Sequence, residues 1–255
     1  SFYMKKRIAV KIGTSTLTGG TENISRGKIE DIARQLLELQ DEYEIIIISS
    51  GAIAAAKQFD KLSTPDNLVT SKQALSAIGQ PKLMQLYNEV FADFGLKTAQ
   101  CIMTHYDFEI QSSRENTFKT ITDLLEHNYI PIINENDTVA VEELVLGDND
   151  KLSALVAVLM KVDKLIIASD IDGIFDSNPH LNPNAKLIKE VSDLESIKKF
   201  IQELDNGLGT GGMTTKINAM EICEGKNIEV YIVNGGTQFF IKKTLLEEIP
   251  FTRFS

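Results

Sequence analysis

Four consecutive isoleucines, Ile45 to Ile48, limit the fold of this chain more than any other feature of its sequence. They form the centre of a short apolar run, 44–50, that leads directly into Gly51. Successive side chains of a β-strand point to opposite faces of the sheet, so a strand of this kind must be covered on both faces. Because parallel sheets with helices on both sides provide such cover, the run predicts a buried strand of an α/β protein.

Further apolar runs alternate with segments of helical spacing along the whole chain. We predict strands at 7–12, 44–50, 98–104, 130–134, 164–169 and 229–233. We predict helices at 25–40, 51–59, 68–93 (interrupted near residues 79–81), 112–127, 152–160, 193–204 and 213–224, and a short hairpin at 139–146. This alternation predicts a mainly parallel sheet with helices on both faces, in one domain with a soft division near Ser169.

The composition disfavours several classes of protein. The 255 residues include 36 acidic and 26 basic side chains, and a net charge of −10 repels phosphate backbones, so nucleic acid is not an expected partner. The most apolar window, 152–160, is shorter than the roughly 18 residues of a membrane span. Two distant cysteines and three scattered histidines form no zinc motif and favour a reducing, cytosolic compartment. We also expect no signal peptide.

Ligands of open α/β sheets bind beyond the carboxyl ends of the strands, and two motifs lie at such positions. Lys11 ends the first predicted strand, and Gly13 then allows close approach of the backbone to a ligand. A bound anion would offset the burial of this lysine, whereas a lysine reaching solvent beside a plain turn is the alternative. Ser50 and Gly51 open a predicted helix whose N-terminus suits an anion, and N-capping by Ser50 is compatible with that role.

Two further loops are dense in amides and carboxylates. One runs from Asn134 to Asp137 after a predicted strand, and the other from Asp148 to Asp150 before a predicted helix. Such groups bind an ammonium, orient lysines or hold Mg²⁺, and ordinary Asx turns are the alternative. An EF-hand is excluded, because a leucine, Leu152, falls where that loop needs a ligand.

Two motifs in the second half of the chain suit a nucleotide. Asp170 follows a predicted strand, where it either contacts a nucleotide or caps a turn. The loop 207–216 is neither a dinucleotide fingerprint, since no strand precedes it, nor a Walker A loop, since Met213 replaces the required lysine. A glycine-rich loop that opens a helix still suits phosphates, and a flexible surface loop is the alternative. Lys216 lies early in that helix, where a cation is unfavourable unless an anion compensates it.

Together these motifs resemble the amino-acid kinase family. Six occur in the family's order between Val10 and about Gly236: VKIGTSTLTGG, SSGAIAAA, IINENDTVAV, GDNDKLSALVA, SDIDGIF and GTGGMTTK. Within the family they look most like the members that phosphorylate the side-chain carboxylate of L-glutamate, the first step of proline synthesis. The resemblance implies a three-layer αβα fold that joins an amino-acid-binding lobe (about 1–165) to a nucleotide-binding lobe (about 166–255).

The resemblance also implies roles for individual residues. Lys11, Asp150 and Lys216 would be catalytic, with the aspartate between two lysines that hold the phosphoryl group and its leaving side. Glutamate would be held by Ser50, Gly51, Asn134, Asp137, Asp148 and Asn149. ATP, with Mg²⁺ held mainly by its phosphates, would contact Lys11, Gly13, Ser169, Asp170, Thr210, Gly211, Gly212, Met213, Thr214, Thr215 and Lys216.

Two departures from the family pattern and two alternatives accompany this interpretation. Many members carry an additional C-terminal RNA-modification-type domain, and we expect a short form without it. Ser49 and Ser169 stand where threonine is common, which keeps the hydroxyl.

The resemblance implies a cytoplasmic homo-oligomer, a dimer or tetramer, with L-proline as a feedback inhibitor. The alternatives are a family member that acts on N-acetylglutamate, aspartate, carbamate or UMP, and a nucleotide-binding sensor without catalysis, although the latter would not need Lys11, Asp150 and Lys216 together.

Overall fold

The computed structural model describes residues 4–59, 71–140, 149–204 and 212–255. Its strands are β1 (Lys6–Ile12), β2 (Tyr43–Ser49), β3 (Lys97–Met103), β4 (Tyr129–Glu135), β5 (Lys164–Ser169), β6 (Glu190–Val191), β7 (Glu229–Asn234) and β8 (Thr252–Phe254). They form one eight-stranded sheet in the order β3-β4-β2-β1-β5-β7-β8-β6. Neighbouring strands are parallel except for β7 and β8, which are antiparallel.

Helices connect these strands and cover the sheet. They are α1 (Thr14–Thr18), α2 (Arg26–Leu39), α3 (Ala52–Phe59), α4 (Lys72–Asp93), α5 (Tyr106–Glu109), α6 (Gln111–Glu126), α7 (Asp150–Leu159), α8 (Leu194–Leu204), α9 (Met213–Cys223) and α10 (Phe240–Leu245), with a 3-10 turn at Asp137–Val139. None of the described helices is long and apolar enough to cross a membrane.

The sheet separates two hydrophobic cores, as the isoleucine run predicts. Ile46 and Ile48 face a core shared with α6, α7, α8 and α9, whereas Ile45 and Ile47 face a core shared with α2, α3, α4 and α10. All four side chains are buried. The predicted three-layer αβα class is therefore confirmed, with β2 inside the sheet between β1 and β4.

The strand predictions agree with the structure to within a residue or two, and the departures concern helices and short elements. The predicted interruption of the helix near residues 79–81 is wrong, since α4 runs through Pro81. Pro81 itself is exposed, and buried residues on both sides of it, Leu75 and Leu83 among them, pack α4 along its length and outweigh the lost hydrogen bond. The predicted hairpin at 139–146 lies outside the described residues except at its start, where Val139 ends the 3-10 turn.

Six parallel strands end at the same edge of the sheet. They are β1, β2, β3, β4, β5 and β7, and the segments that follow them carry most of the polar motifs. Parallel pairing thus gathers residues from distant parts of the chain at one edge, where ligands of open α/β sheets bind.

Candidate active site

A buried carboxylate bridges two buried lysines at this edge. Lys11, near the end of β1, places its Nζ 3.0 Å from Oδ1 of Asp150, the first residue of α7. Lys216, in α9, places its Nζ 3.1 Å from Oδ2 of the same aspartate. The Thr215 hydroxyl lies 2.7 Å from that Oδ2. Asp150 is completely buried, and the two lysines are 5% and 7% exposed.

The charges of this bridge leave a local excess of one positive charge. Burial alone raises the pKa of Asp150, but the ammonium groups of Lys11 and Lys216 outweigh burial and hold that pKa below its ordinary value. Asp150 is therefore ionised at neutral pH and compensates the cation that the sequence places unfavourably near the start of α9. A buried pair of cations with one anion between them still attracts a further anion, which is the charge pattern of a phosphoryl site.

The bridge lies in the wall of a cavity of about 490 Å³. Predicted site residues that line this cavity are Lys11, Gly13, Ser50, Gly51, Asn134, Asp137, Asn149, Ser169, Asp170, Gly212 and Lys216. They come from the ends of β1, β2, β4 and β5 and from the starts of α7 and α9. The residues predicted to bind the phosphoryl group, the amino acid and the nucleotide thus line one cavity.

Two glycines allow the backbone to approach the cavity. Gly51, at the start of α3, has φ +111°, and a Cβ there would lie 2.9 Å from Leu17 Cδ1. A Cβ on Gly13 would lie 3.0 Å from the Nζ of Lys11. A larger residue at Gly51 would strain the backbone. A larger residue at Gly13 would crowd the ammonium group of Lys11.

Amide groups line the part of the cavity where the sequence analysis places the amino-acid substrate. Asn149 has φ +72°, and its Nδ2 donates to Ser50 Oγ (3.1 Å) and to Asn134 Oδ1 (2.8 Å). The side chains of Asn134 and Asn149 are both buried. Asp137 lies beside them in the 3-10 turn. Burial raises the pKa of the Asp137 carboxyl above its ordinary value, and hydrogen bonds with Ser76 and Glu135 oppose this rise only in part. A half-buried carboxylate of this kind favours a cationic partner.

The remaining predicted site residues are not among the described residues that line this cavity. Asp148, Thr210 and Gly211 lie outside the described residues. Met213 is buried in the core formed with α7, and Thr214 is exposed; neither lines the cavity. Thr215 contributes through its bond to Asp150.

The sequence does not single out two residues of α4 that contact the site. Ser76 lines the cavity and is 6% exposed. Tyr87 is fully buried, and its hydroxyl lies 2.7 Å from Ser49 Oγ, which donates to the carbonyl oxygen of Ser50 at 2.8 Å. Helical spacing with Leu83 and Phe91 identifies Tyr87 as a core residue, but it cannot show which strand end the hydroxyl meets.

We expect Tyr87→Phe to loosen the backbone at Ser50. The change leaves Ser49 Oγ without its tyrosine partner in a fully buried environment, so the free energy of unfolding should fall by about 1–2 kcal/mol. The KM of a substrate that binds beside Ser50 should rise by roughly threefold, because this hydrogen bond helps to hold the Ser50 backbone in place. Urea denaturation and steady-state kinetics measure both effects. Tyr106→Phe, at an exposed position in α5, serves as the control, and equal stability of the two variants would contradict this role.

The described residues offer no protein site for a metal ion. No group of three or more His, Cys, Asp or Glu side chains within them is placed to hold one.

The fold and the lysine–aspartate–lysine bridge define a phosphotransferase site, and comparison with known proteins gives the family. The model of the "Amino acid kinase family" matches residues 6–234, and the chain belongs to this family. Solved structures show the same fold: carbamate kinase from Giardia lamblia (14% identical, TM-score 0.69) and UMP kinase from Ureaplasma parvum (19% identical, TM-score 0.67), each covering 99% of both chains.

Three curated relatives have higher identity and are named as glutamate 5-kinases. "Glutamate 5-kinase" from Clostridium acetobutylicum is 42% identical over 250 residues, which are 97% of this chain and 94% of that protein. "Glutamate 5-kinase" from Vibrio vulnificus is 41% identical over 251 residues, 98% of this chain and 66% of that protein. "Glutamate 5-kinase 2" from Pseudoalteromonas translucida is 39% identical over 249 residues, 97% of this chain and 68% of that protein. The chain therefore spans about two thirds of the Vibrio and Pseudoalteromonas proteins and nearly all of the Clostridium protein.

Proposed function

We propose that this chain transfers the γ-phosphoryl group of ATP to the side-chain carboxylate of L-glutamate, forming L-glutamyl 5-phosphate in the first step of proline synthesis. The observation that carries the proposal is the bridge of Lys11 and Lys216 through buried Asp150, in the wall of a cavity that also holds polar acceptor-side residues. Relatives named glutamate 5-kinase, about 40% identical over nearly the whole chain, support this acceptor.

The chain's own residues supply position and charge rather than covalent chemistry. Phosphoryl transfer requires in-line alignment and neutralisation of charge on the moving group. We assign Lys11 to the oxygens of the moving phosphoryl group and Lys216 to the leaving side, with Asp150 holding both ammonium groups in place. The backbone amides of Gly13 and Gly51 are assigned to phosphoryl or acceptor oxygens.

No general base is needed in this reaction. The acceptor is a carboxylate, which is already ionised at pH 7 and attacks the phosphorus directly. In agreement with this, no histidine is among the described residues that line the cavity.

The nucleotide is assigned to the β5 and α9 side of the cavity. Residues proposed to contact it are Ser169, Asp170, Thr210, Gly211, Gly212, Met213, Thr214, Thr215 and Lys216. When bound with the nucleotide, Mg²⁺ would neutralise part of the charge on the phosphates. The net positive charge of the bridge suits the anionic phosphates of a nucleoside triphosphate.

The acceptor is assigned to the β2, β4 and α7 side. Ser50, Asn134, Asp148 and Asn149 are proposed to hold glutamate, and Asp137 is proposed to pair with its α-ammonium group. Further proposals rest on the family resemblance: two lobes at about 1–165 and 166–255, a homo-oligomer (dimer or tetramer), feedback inhibition by L-proline, and a cytoplasmic location.

We expect the free α-ammonium group to be required. Acetylation removes the positive charge and leaves the half-buried Asp137 carboxylate without a partner, so glutamate should exceed N-acetylglutamate in kcat/KM by about 10² or more. Asp137→Ala should raise the KM for glutamate by a similar factor, whereas Asp123→Ala, on the exposed side of α6, should leave it unchanged. Burial raises the pKa of Asp137, so its carboxylate becomes protonated at a higher pH than that of an exposed aspartate. As the pH falls, the KM for glutamate should therefore begin to rise at a correspondingly higher pH.

An ADP-release assay with Mg-ATP tests the function itself. Glutamate, N-acetylglutamate, aspartate, carbamate and UMP are offered in turn, and hydroxylamine traps any acyl phosphate as a hydroxamate. We expect ADP and hydroxamate with glutamate. Comparable kcat/KM values for glutamate and N-acetylglutamate would contradict the proposed acceptor, and no ADP with any acceptor would favour a nucleotide-binding sensor.

A further inference from the structure

A row of hydrogen-bonded side-chain amides leads from the proposed acceptor side of the cavity to the outermost strand of the sheet, β3. Asn149, the residue directly before α7, donates to Asn134 in β4, and Nδ2 of Asn134 donates to Oε1 of Gln80 in α4 at 2.9 Å. Nε2 of Gln80 in turn donates to Oε1 of Gln100, on edge strand β3, at 2.9 Å. Four amides are thus joined end to end, although only Asn134 and Asn149 line the 490 Å³ cavity.

A backbone group fixes the direction of the hydrogen bonds along this row of amides. The N–H of Glu135 can only donate, and it donates to Oδ1 of Asn134 at 2.8 Å. Oδ1 of Asn134 is therefore the end that also accepts from Asn149, and Nδ2 is the end that must find an acceptor. Gln80 presents that acceptor through Oε1, which turns its own Nε2 towards Gln100.

The direction of these hydrogen bonds determines which atom of Asn149 can meet a ligand. Its Nδ2 donates to Asn134 Oδ1 at 2.8 Å, to Ser50 Oγ at 3.1 Å and to the carbonyl oxygen of Ser49 at 3.4 Å, so both protons of the amide are already used. The carbonyl oxygen Oδ1 of Asn149 remains, and no hydrogen bond between the described residues uses it. Asn149 lines the cavity, so this oxygen is an acceptor available to an N–H group of a bound molecule.

We propose that Gln80 is a positioning residue for the acceptor. It holds Asn134, and through Asn134 also Asn149, in the orientation that offers a carbonyl oxygen to the α-ammonium group of glutamate. This inference rests on the proposed function. Gln80 itself does not line the 490 Å³ cavity, but it lines a neighbouring cavity of about 610 Å³ beside β3.

The test replaces Gln80 by a side chain of similar size that cannot form these bonds. In Gln80→Met, the buried Nδ2 of Asn134 loses its acceptor, and the amides are no longer held in one orientation. The KM for glutamate should rise about tenfold, whereas kcat and the KM for ATP should stay within about twofold of wild type. This pattern separates a positioning role from a general loss of packing, which would lower kcat and raise the KM values for both glutamate and ATP.

The control lies on the same helix. Gln85 lines the same neighbouring cavity and bonds the exposed Glu89 of its own helix at 3.0 Å. Gln85→Met should therefore leave the KM for glutamate unchanged. Gln80→Glu keeps an oxygen for Asn134 Nδ2 and should restore most of the affinity that Gln80→Met loses. If Gln80→Met does not fold, a raised KM in a folded Gln80→Glu variant would overturn the inference, and a near-wild-type KM would support it.

A double variant shows whether Gln80 acts through Asn134. In an Asn134→Ala background, Gln80→Met should add less than about twofold to the KM for glutamate, because the bond it removes is already absent. Multiplicative effects would overturn the inference, as would an unchanged KM in Gln80→Met while the wild type phosphorylates glutamate. The proposed function is judged separately, by wild-type turnover of glutamate; a wild type inactive with glutamate would overturn both.

Discussion

Asp150→Asn should lower kcat by about 10²–10³ while the protein remains folded. Asparagine keeps the shape of the side chain, but it removes the charge that lies 3.0 Å from Lys11 Nζ and 3.1 Å from Lys216 Nζ. The two buried ammonium groups then repel each other across the site, and neither is held where the phosphoryl oxygens need it. ADP release at saturating ATP and glutamate measures the loss, and circular dichroism shows whether the fold is kept.

Two comparisons give this result its meaning. Asp163→Asn changes an exposed aspartate just before β5, at the opposite edge of the sheet, and should keep wild-type kcat. Lys11→Ala and Lys216→Ala should each lose a similar factor, because each removes one charge aimed at the phosphoryl group. Full activity of Asp150→Asn would mean that Asp150 only starts α7, as an ordinary Asx turn does.

The stability difference between the wild type and Asp150→Asn should also depend on pH in a defined direction. The lysines hold the pKa of Asp150 below its ordinary value in the folded state, so its ionised form stabilises the fold above the unfolded pKa. That stabilisation is lost as the pH falls through the folded pKa. The difference in unfolding free energy between wild type and Asp150→Asn should therefore be constant near neutral pH and narrow below about pH 4. A difference that does not change in acid would contradict the ionised bridge.

The sequence predicts the site through the ends of strands. Lys11, Asn134 and Ser169 each lie at the end of an apolar run, and parallel pairing then requires these ends to meet at one edge. Lys216 is predicted by local chemistry as well, since a cation near a helix N-terminus requires an anion. The structure supplies Asp150 as that anion, 66 residues away along the chain.

The contributions of α4 could not be predicted in the same way. Its periodicity shows that Leu83, Tyr87 and Phe91 are buried, but the partner of a buried hydroxyl or amide depends on which strand the helix covers. Tyr87 meets Ser49, and Gln80 meets Asn134, 38 and 54 residues away. The same helix continues through Pro81, against its local signal, because contacts with the sheet and α3 stabilise both of its halves.

Gly79→Ala should be among the most destabilising single changes in this chain. A Cβ on Gly79 would lie 1.6 Å from the carbonyl oxygen of Ala52, 2.6 Å from its carbonyl carbon, and 2.8 Å from the backbone nitrogen of Ala56. These are backbone atoms of α3, so no side-chain rotation can relieve the overlap, and α3 and α4 must move apart. Such overpacking costs about 1–3 kcal/mol when side chains can adjust, and we expect about 3 kcal/mol or more here.

The displacement should reach the active site as well as the core. Ala52 follows Gly51 directly, and Gly51 is fixed at φ +111° against Leu17, so a shift of α3 moves the amide assigned to the phosphoryl or acceptor oxygens. Gly79→Ala should therefore lower kcat even in the fraction that folds.

Gly27→Ala is the matched control. Gly27 is also helical, and a Cβ there would meet only Ser25 Oγ at 3.7 Å. Because alanine is the better helix former, the stability of this variant should stay equal or rise slightly. Urea denaturation of both variants, followed by single-turnover kinetics on the folded protein, measures the two effects. A Gly79→Ala variant as stable and active as Gly27→Ala would show that the close contact between α3 and α4 does not set the position of the site.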